Sequence, residues 1–186
     1  MGRLIFSAIA SVDGYTVDSS GSFDWARPDP EVHSFVNDLE RDVGTYLYGR
    51  RMYETMKVWQ DLPGAGDDPV TADYAQVWQS ADKVVYSSTL GEVTTPRTRL
   101  EPRFDPETVR RLVVDAPGRV SVGGPTLAAR AFAAGLVDEV LLILVPVAVG
   151  GGTPALPKDR FLRLDLQEAR RFAGGTVALH YAVERS

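Results

Sequence analysis

Apolar residues recur along this chain in two alternating rhythms. Residues 4–10 form a short apolar run broken by Asp13-Gly14, which predicts a first strand. Residues 13–25 are rich in Gly, Ser and Asp and read as a loop. Val32, Phe35, Val36, Leu39 and Val43 then fall on one helical face, so a helix is expected over 30–43 with Pro30 in its first turn. Residues 46–48 read as a short strand running through Gly49 into a helix over 50–56. The stretch 62–70, with Gly64, Gly66, Asp67, Asp68 and Pro69, reads as a mobile surface loop before a helix over 72–80. Strands are expected at 83–86, at 97–100 on an edge, at 120–122 and at 139–146. Between them lie helices over 106–113, with Asp105 as N-cap, and over 125–134, closed by Gly135.

The rhythm changes near the C-terminus. Leu162, Leu164 and Leu166 alternate with polar residues, as do Val177, Leu179, Tyr181 and Val183, and Gly174-Gly175 between them predicts a hairpin turn. Strand and helix alternate first and an antiparallel hairpin follows. The expected fold is α/β: a central mixed, mostly parallel sheet with helices on both faces, in one domain over 1–186.

Composition narrows the function classes. A net charge of −5 disfavours nucleic acid and anionic membrane surfaces as partners. The absence of cysteine excludes disulfides, thiolate catalysis and cysteine-built metal sites, and His33 and His180 alone make no metal centre. The most apolar stretch, 140–149, holds Pro146 and is far shorter than a membrane span. A soluble, cytoplasmic protein is expected.

Candidate chemistry gathers where strands end. Tyr48-Gly49-Arg50-Arg51 and Val122-Gly123-Gly124-Pro125-Thr126 each pass from a strand into a helix, and Tyr86-Ser87-Ser88 ends another strand. Ligands of open α/β sheets bind beyond the carboxyl ends of strands. Helix N-termini accept phosphate there, and glycine lets the backbone approach the anion. Each piece has an ordinary reading as well: a tight turn, two solvated arginines, a Ser-Ser turn. No Gly-x-Gly-x-x-Gly follows the first strand, which disfavours the classical dinucleotide fold.

In this order, residues 4–14, Tyr48-Gly49-Arg50-Arg51-Met52-Tyr53-Glu54, Val84-Val85-Tyr86-Ser87-Ser88 and Val122-Gly123-Gly124 resemble the dihydrofolate reductase superfamily. The resemblance is to the reductase domain of the bifunctional riboflavin-biosynthesis deaminase-reductase and its stand-alone relatives. It extends to Asp138-Glu139-Val140 and Gly150-Gly151-Gly152. It implies a dihydrofolate-reductase-like three-layer fold and an NADPH-dependent oxidoreductase acting on a small heterocyclic or carbonyl substrate. The family chemistry is reduction of a ribosylamino-pyrimidine. The zinc signature of a deaminase is absent. A true dihydrofolate reductase and a non-catalytic NADPH-binding protein are the alternatives.

By the same resemblance, Arg50 meets the 2′-phosphate, while Gly49, Arg51 and Met52 line the helix start beside it. Ser87 and Ser88 border the adenosine. Gly123, Gly124, Pro125, Thr126 and Leu127 cradle the pyrophosphate, with a cis peptide between the two glycines. Ala8 and Ile9 offer backbone groups to the carboxamide. Asp13, in an Asp-Gly turn, and Glu31, at a helix start, are the candidate catalytic carboxylates on the substrate side, although both residue types also serve plain turns and helix starts. Trp25 and Trp59 are candidate pocket walls. The terminal hairpin leaves a long edge strand, and a homodimer is expected to cover it.

Overall fold

The computed structural model describes residues 2–62 and 68–184. Its framework is one eight-stranded sheet in the order β5-β4-β3-β6-β1-β7-β10-β9. The strands are β1 (Leu4–Ser11), β3 (Val43–Gly49), β4 (Asp82–Tyr86), β5 (Thr98–Glu101), β6 (Arg119–Gly123), β7 (Glu139–Val145), β9 (Leu164–Arg171) and β10 (Val177–Val183). The six strands from β5 to β7 run parallel, and β10 and β9 join antiparallel. The mixed, mostly parallel sheet with a terminal hairpin is therefore as the chain's two rhythms predict. A second, two-stranded sheet pairs β2 (Tyr15–Val17) with β8 (Thr153–Pro154).

Alternation along the strands divides the core. Leu4 and Phe6 of β1, Leu47 of β3 and Val120 and Val122 of β6 pack against α4 (Pro106–Asp115) and α5 (Pro125–Ala133). Ile5 of β1 and Tyr46 and Tyr48 of β3 point to the other face. That face carries α1 (Pro30–Glu40), α2 (Arg50–Met56) and α3 (Pro69–Ser80). At roughly 25 cal/mol per Å² of apolar area removed from water, these two layers supply the main drive for folding.

Several boundaries differ from the expectation. The first helix stops at Glu40, because Val43 belongs to β3 and pairs with Arg119 of β6. The segment 13–25 is not all loop: β2 forms by pairing across the chain, and a 3-10 turn covers Asp24–Ala26. The third helix starts at Pro69 rather than 72. Asp68 caps it by accepting from Thr71 N at 3.1 Å, so part of the expected loop is helix. Gly64, Gly66 and Asp67 of that loop lie outside the described residues. The strand at 97–100 does lie on an edge, as β5. In the hairpin Gly175 has φ +87°, and β9 reaches Arg171 with an extra residue, Gln167, bulged between Leu166 and Glu168. No helix of the described residues is long and apolar enough to cross a membrane.

Candidate functional site

Helix starts divide into two kinds. α1, α3 and α4 each begin with an Asp-Pro pair whose aspartate caps the first turn: Asp29 accepts from Val32 N, Asp68 from Thr71 N and Asp105 from Thr108 N. α2 and α5 begin instead at Gly49 and Gly124, with no side-chain cap. Their first amides are left for another acceptor. These two starts follow the adjacent strands β3 and β6, where Tyr48 pairs with Gly123.

The glycines are required by close packing. A Cβ on Gly123 would lie 2.6 Å from Cε1 of Tyr48. Gly124 has φ +87° and ψ 130°, a backbone that side chains disfavour. The peptide joining them is trans, contrary to the expected cis bond, since the positive φ of Gly124 already turns the chain into α5. Pro125, Thr126 and Leu127 form the first turn of that helix.

Arg50 is held at this edge. Its Nε donates to Glu54 Oε1 at 2.8 Å and its Nη1 to Thr89 Oγ1 at 3.2 Å. Ser87 Oγ accepts from the backbone of Thr89 and Leu90 and shapes the turn that presents Thr89. Ser88 and Arg51 are exposed, and Met52 packs beside the two glycines. The buried Tyr53 accepts at its hydroxyl from Thr94 N and Thr95 N, at 2.9 and 3.2 Å. The Gly-Arg-x-x-Tyr-Glu signature is thus a local device: glycine opens the helix, glutamate orients the arginine, and tyrosine anchors the loop behind it.

β1 supplies a second feature. Its pairing with β7 continues through Ala8, Ile9 and on to Ser11, but its pairing with β6 ends at Phe6↔Val122. Beyond Phe6 the β6-facing backbone of β1 therefore lacks a strand partner. The chain leaves β1 toward α1 on one face and β6 toward α5 on the other, so a crevice opens between them.

The two carboxylates border the same sheet edge on different loops. Asp13 accepts from Val149 N at 3.1 Å and Gly150 N at 2.8 Å. Hydrogen bonds from Ser11 and from this loop hold its carboxyl below the usual range. Glu31 accepts from Ala173 N at 3.1 Å, in the β9–β10 turn. The structure gives each its own backbone partner rather than gathering them at a shared point.

Sequence periodicity places His33 on the polar side of its helix. In the fold it turns toward α3, with ring centroids 6.0 Å from Trp59 and 5.8 Å from Tyr74. Trp25 instead donates to Ser22 O within its own turn. His180 lies 3.0 Å from Glu139 Oε2, in an ion cluster with Arg3 and Arg119. Glu54, which the motif includes without a role, and Thr89, missed in the sequence, orient Arg50; the Arg50–Glu54 spacing of four residues was the available signal for the first.

Comparison with known proteins places this geometry. The RibD C-terminal domain family matches residues 3–178. Protein YyaP of Bacillus subtilis (strain 168), itself uncharacterized, is 28% identical over 185 residues, covering 96% of this chain and 94% of that protein. A solved Shewanella sp. PV-4 protein ascribed to riboflavin biosynthesis superposes with a TM-score of 0.75 at 20% identity, over 98% of this chain and 99% of that one. The Thermotoga maritima diaminohydroxyphosphoribosylaminopyrimidine deaminase/5-amino-6-(5-phosphoribosylamino)uracil reductase superposes with a TM-score of 0.68 at 10% identity, over 98% of this chain and 57% of that one. At such identities the structural likeness is one of fold.

Proposed function

The chain belongs to the RibD C-terminal domain family, and on that premise we propose that it is an NADPH-dependent reductase of a small heterocyclic or carbonyl substrate, of the riboflavin-biosynthesis reductase type. The observation that carries this reading is the pair of uncapped helix starts, α2 and α5, side by side on β3 and β6 with Arg50 at one and the Gly123-Gly124 cradle at the other.

The residues present fit the cofactor. The start of α5 has no side-chain cap, and Gly124 stands there at φ +87° without a side chain, so a phosphate can meet the first amides of the helix. Gly123, Gly124, Pro125, Thr126 and Leu127 would hold the pyrophosphate. Arg50, steadied by Glu54 and Thr89, would hold the 2′-phosphate, with Gly49, Arg51 and Met52 beside it. Ser87 and Ser88 would border the adenosine. Ala8 and Ile9 would offer backbone groups to the carboxamide along the unpaired flank of β1. When bound, the cofactor supplies a hydride.

On the substrate side, Asp13 and Glu31 are the carboxylates assigned to the reaction. Asp13 holds the 149–150 loop and Glu31 the β9–β10 turn, so either can act by shaping the edge of the crevice or by meeting the substrate directly. The deciding experiment has two arms. NADPH and NADH are titrated calorimetrically against the wild type and Arg50→Ala, and NADPH depletion is followed over a panel of pyrimidine, pterin and carbonyl compounds. Equal affinity for the two cofactors in the wild type would falsify the cofactor assignment. Cofactor binding with no turnover on any compound would favour a binding protein.

A further inference from the structure

The loop after β7 carries three successive glycines, Gly150, Gly151 and Gly152. It has no side chains there with which to brace itself, and glycine gives a backbone its widest freedom. The loop is instead fastened along its length to the segment after β1. Val12 N donates to Val147 O at 2.8 Å, Ala155 N to Gly14 O at 2.9 Å, and Thr16 Oγ1 to Thr153 O at 3.2 Å. Gly152 passes so near Val17 that a Cβ on it would run into the Val17 carbonyl. Between these fastenings stands Asp13, which takes the Val149 and Gly150 amides, one on each carboxylate oxygen.

Asp13 is itself held from β1. Ser11 ends that strand, is buried, and pairs with Val145 at the end of β7. Its hydroxyl donates to the Asp13 carboxylate and accepts from Tyr15 N at 3.0 Å, while its carbonyl accepts from Gly14 N at 2.9 Å. One hydroxyl thus uses both its proton and a lone pair on the same turn. Hydrogen bonds rather than a neighbouring charge keep Asp13 ionised, and a carboxylate so held has no proton to give near neutral pH. A cation packed on this unit, Lys158, stands over the Tyr15 ring instead, 5.7 Å from its centroid.

We propose that Ser11 is a positioning residue that works through Asp13: its hydroxyl aims the Asp13 carboxylate, and the carboxylate orders the Gly150–Gly152 loop as a wall of the substrate site. Asp13 then acts on the reaction by shaping this wall and not as its proton donor. Both loops leave the carboxyl ends of neighbouring parallel strands, the end of the sheet at which the crevice beside β1 opens. The proposal rests on reading that crevice as the site of a reductase.

A double-variant cycle tests it. Exchange of backbone amides with water is followed by NMR near pH 7 in the wild-type chain, Ser11→Ala, Asp13→Asn and the two combined, with a melting temperature for each. Ser11→Ala is expected to speed exchange at Val149 and Gly150 by about tenfold, and Asp13→Asn by at least as much. The combined variant should be no faster than Asp13→Asn alone, because the hydroxyl works only through the carboxylate. Additive effects overturn the proposal, as do Val149 and Gly150 amides that Ser11→Ala leaves unchanged. Ser11→Cys, a weaker donor of similar shape, replaces Ser11→Ala if the latter lowers the melting temperature. On any compound turned over with NADPH, both single variants should raise KM and keep the wild-type pH profile of kcat. A limb of that profile lost in Asp13→Asn would make Asp13 the proton donor and overturn the assignment. The exchange rates need neither cofactor nor substrate, so a chain that turns over no compound counts against the reductase reading, while the exchange cycle still decides whether Ser11 works through Asp13.

Discussion

The ring of Tyr48 occupies the space that a side chain on Gly123 would need, with Tyr48 Cε1 2.6 Å from where a Cβ would stand. The tyrosine cannot readily give way. It is buried, stacked on Tyr46 with centroids 5.4 Å apart, and its hydroxyl accepts from Trp78 Nε1 at 3.2 Å. Gly123→Ala is therefore expected to cost about 1–3 kcal/mol of stability through overpacking. Gly124→Ala meets only Met52 at 3.3 Å and acts through its positive φ, at about 1–2 kcal/mol. Both should weaken NADPH binding, and Gly124→Ala should do so with the smaller fall in melting temperature. Calorimetry and thermal melts on the two variants check this, and unchanged NADPH affinity in both would make the glycines purely structural.

Arg50→Ala should reduce NADPH affinity by about 1.5–3 kcal/mol and leave NADH affinity nearly unchanged, because the charge-assisted contact is to the 2′-phosphate alone. Glu54→Gln keeps the side-chain size but weakens the hold on Arg50 Nε at 2.8 Å. It should change the NADPH/NADH ratio less than Arg50→Ala does. Titration of both cofactors against both variants reads the ordering directly.

Lys83 predicts an alkaline rise in stability. Its side chain is buried, donates to Trp78 O at 3.0 Å and lies 4.1 Å from the Trp78 ring centroid. Burial lowers its pKa from 10.5 to about 8. Between those values the unfolded chain binds the proton that the folded chain has released, so stability climbs with pH, by up to about 1.4 kcal/mol per unit. Above about pH 10 the sign reverses. There the unfolded tyrosines ionise, while burial holds Tyr46, Tyr48, Tyr74 and Tyr86 protonated in the fold. Urea melts across pH 7–11 should show a maximum near pH 9–10. Lys83→Met should abolish the rise below pH 10, and a wild-type curve flat from pH 7 to 10 would contradict the assignment.

Asp13→Asn and Glu31→Gln should leave NADPH affinity intact and, on an identified substrate, lower turnover by about tenfold or more, roughly 1.4 kcal/mol of barrier. Because Asp13 takes two amides of the loop after β7, its loss should also raise KM if it works by positioning that loop. Glu31, bound to Ala173 N, should behave likewise through the β9–β10 turn. A small stability loss with unchanged kcat and KM would return both residues to turn and helix-start roles.

A homodimer is proposed at the β9 end of the sheet. β9 is an edge strand, and Leu166 within it and Phe161 just before it are 52% and 84% exposed. The bulge at Gln167 and the charges of Glu168, Arg170 and Arg171 discourage open-ended strand addition there. A closed twofold contact through the apolar side chains suits this edge better than a continuous sheet. Light scattering at micromolar concentration should give twice the chain mass, and Phe161→Glu with Leu166→Lys should return the monomer. A monomeric wild type ends the proposal.

The chain's own pattern determined whatever one or two turns of backbone encode. Asp105 and Pro106 start α4, Gly135 closes α5, and the change of rhythm after residue 161 announces the antiparallel hairpin. The glycine junctions at 49 and 123–124 were visible for the same reason, since a glycine's freedom is local. Tertiary structure decided the rest, because those features depend on groups far apart in the chain. β2 exists only because Tyr15 meets Pro154, and β3 reaches back to Val43 because β6 is there to pair with it. The partners of Arg50, Asp13 and Glu31 lie up to 142 residues away, so the residue types could be read but not what each carboxylate holds. His33 shows the physical reason most plainly. Helical periodicity ranks faces by hydropathy, whereas the face a histidine presents is settled by which helix packs beside it, and here α3 brings Tyr74 against the ring.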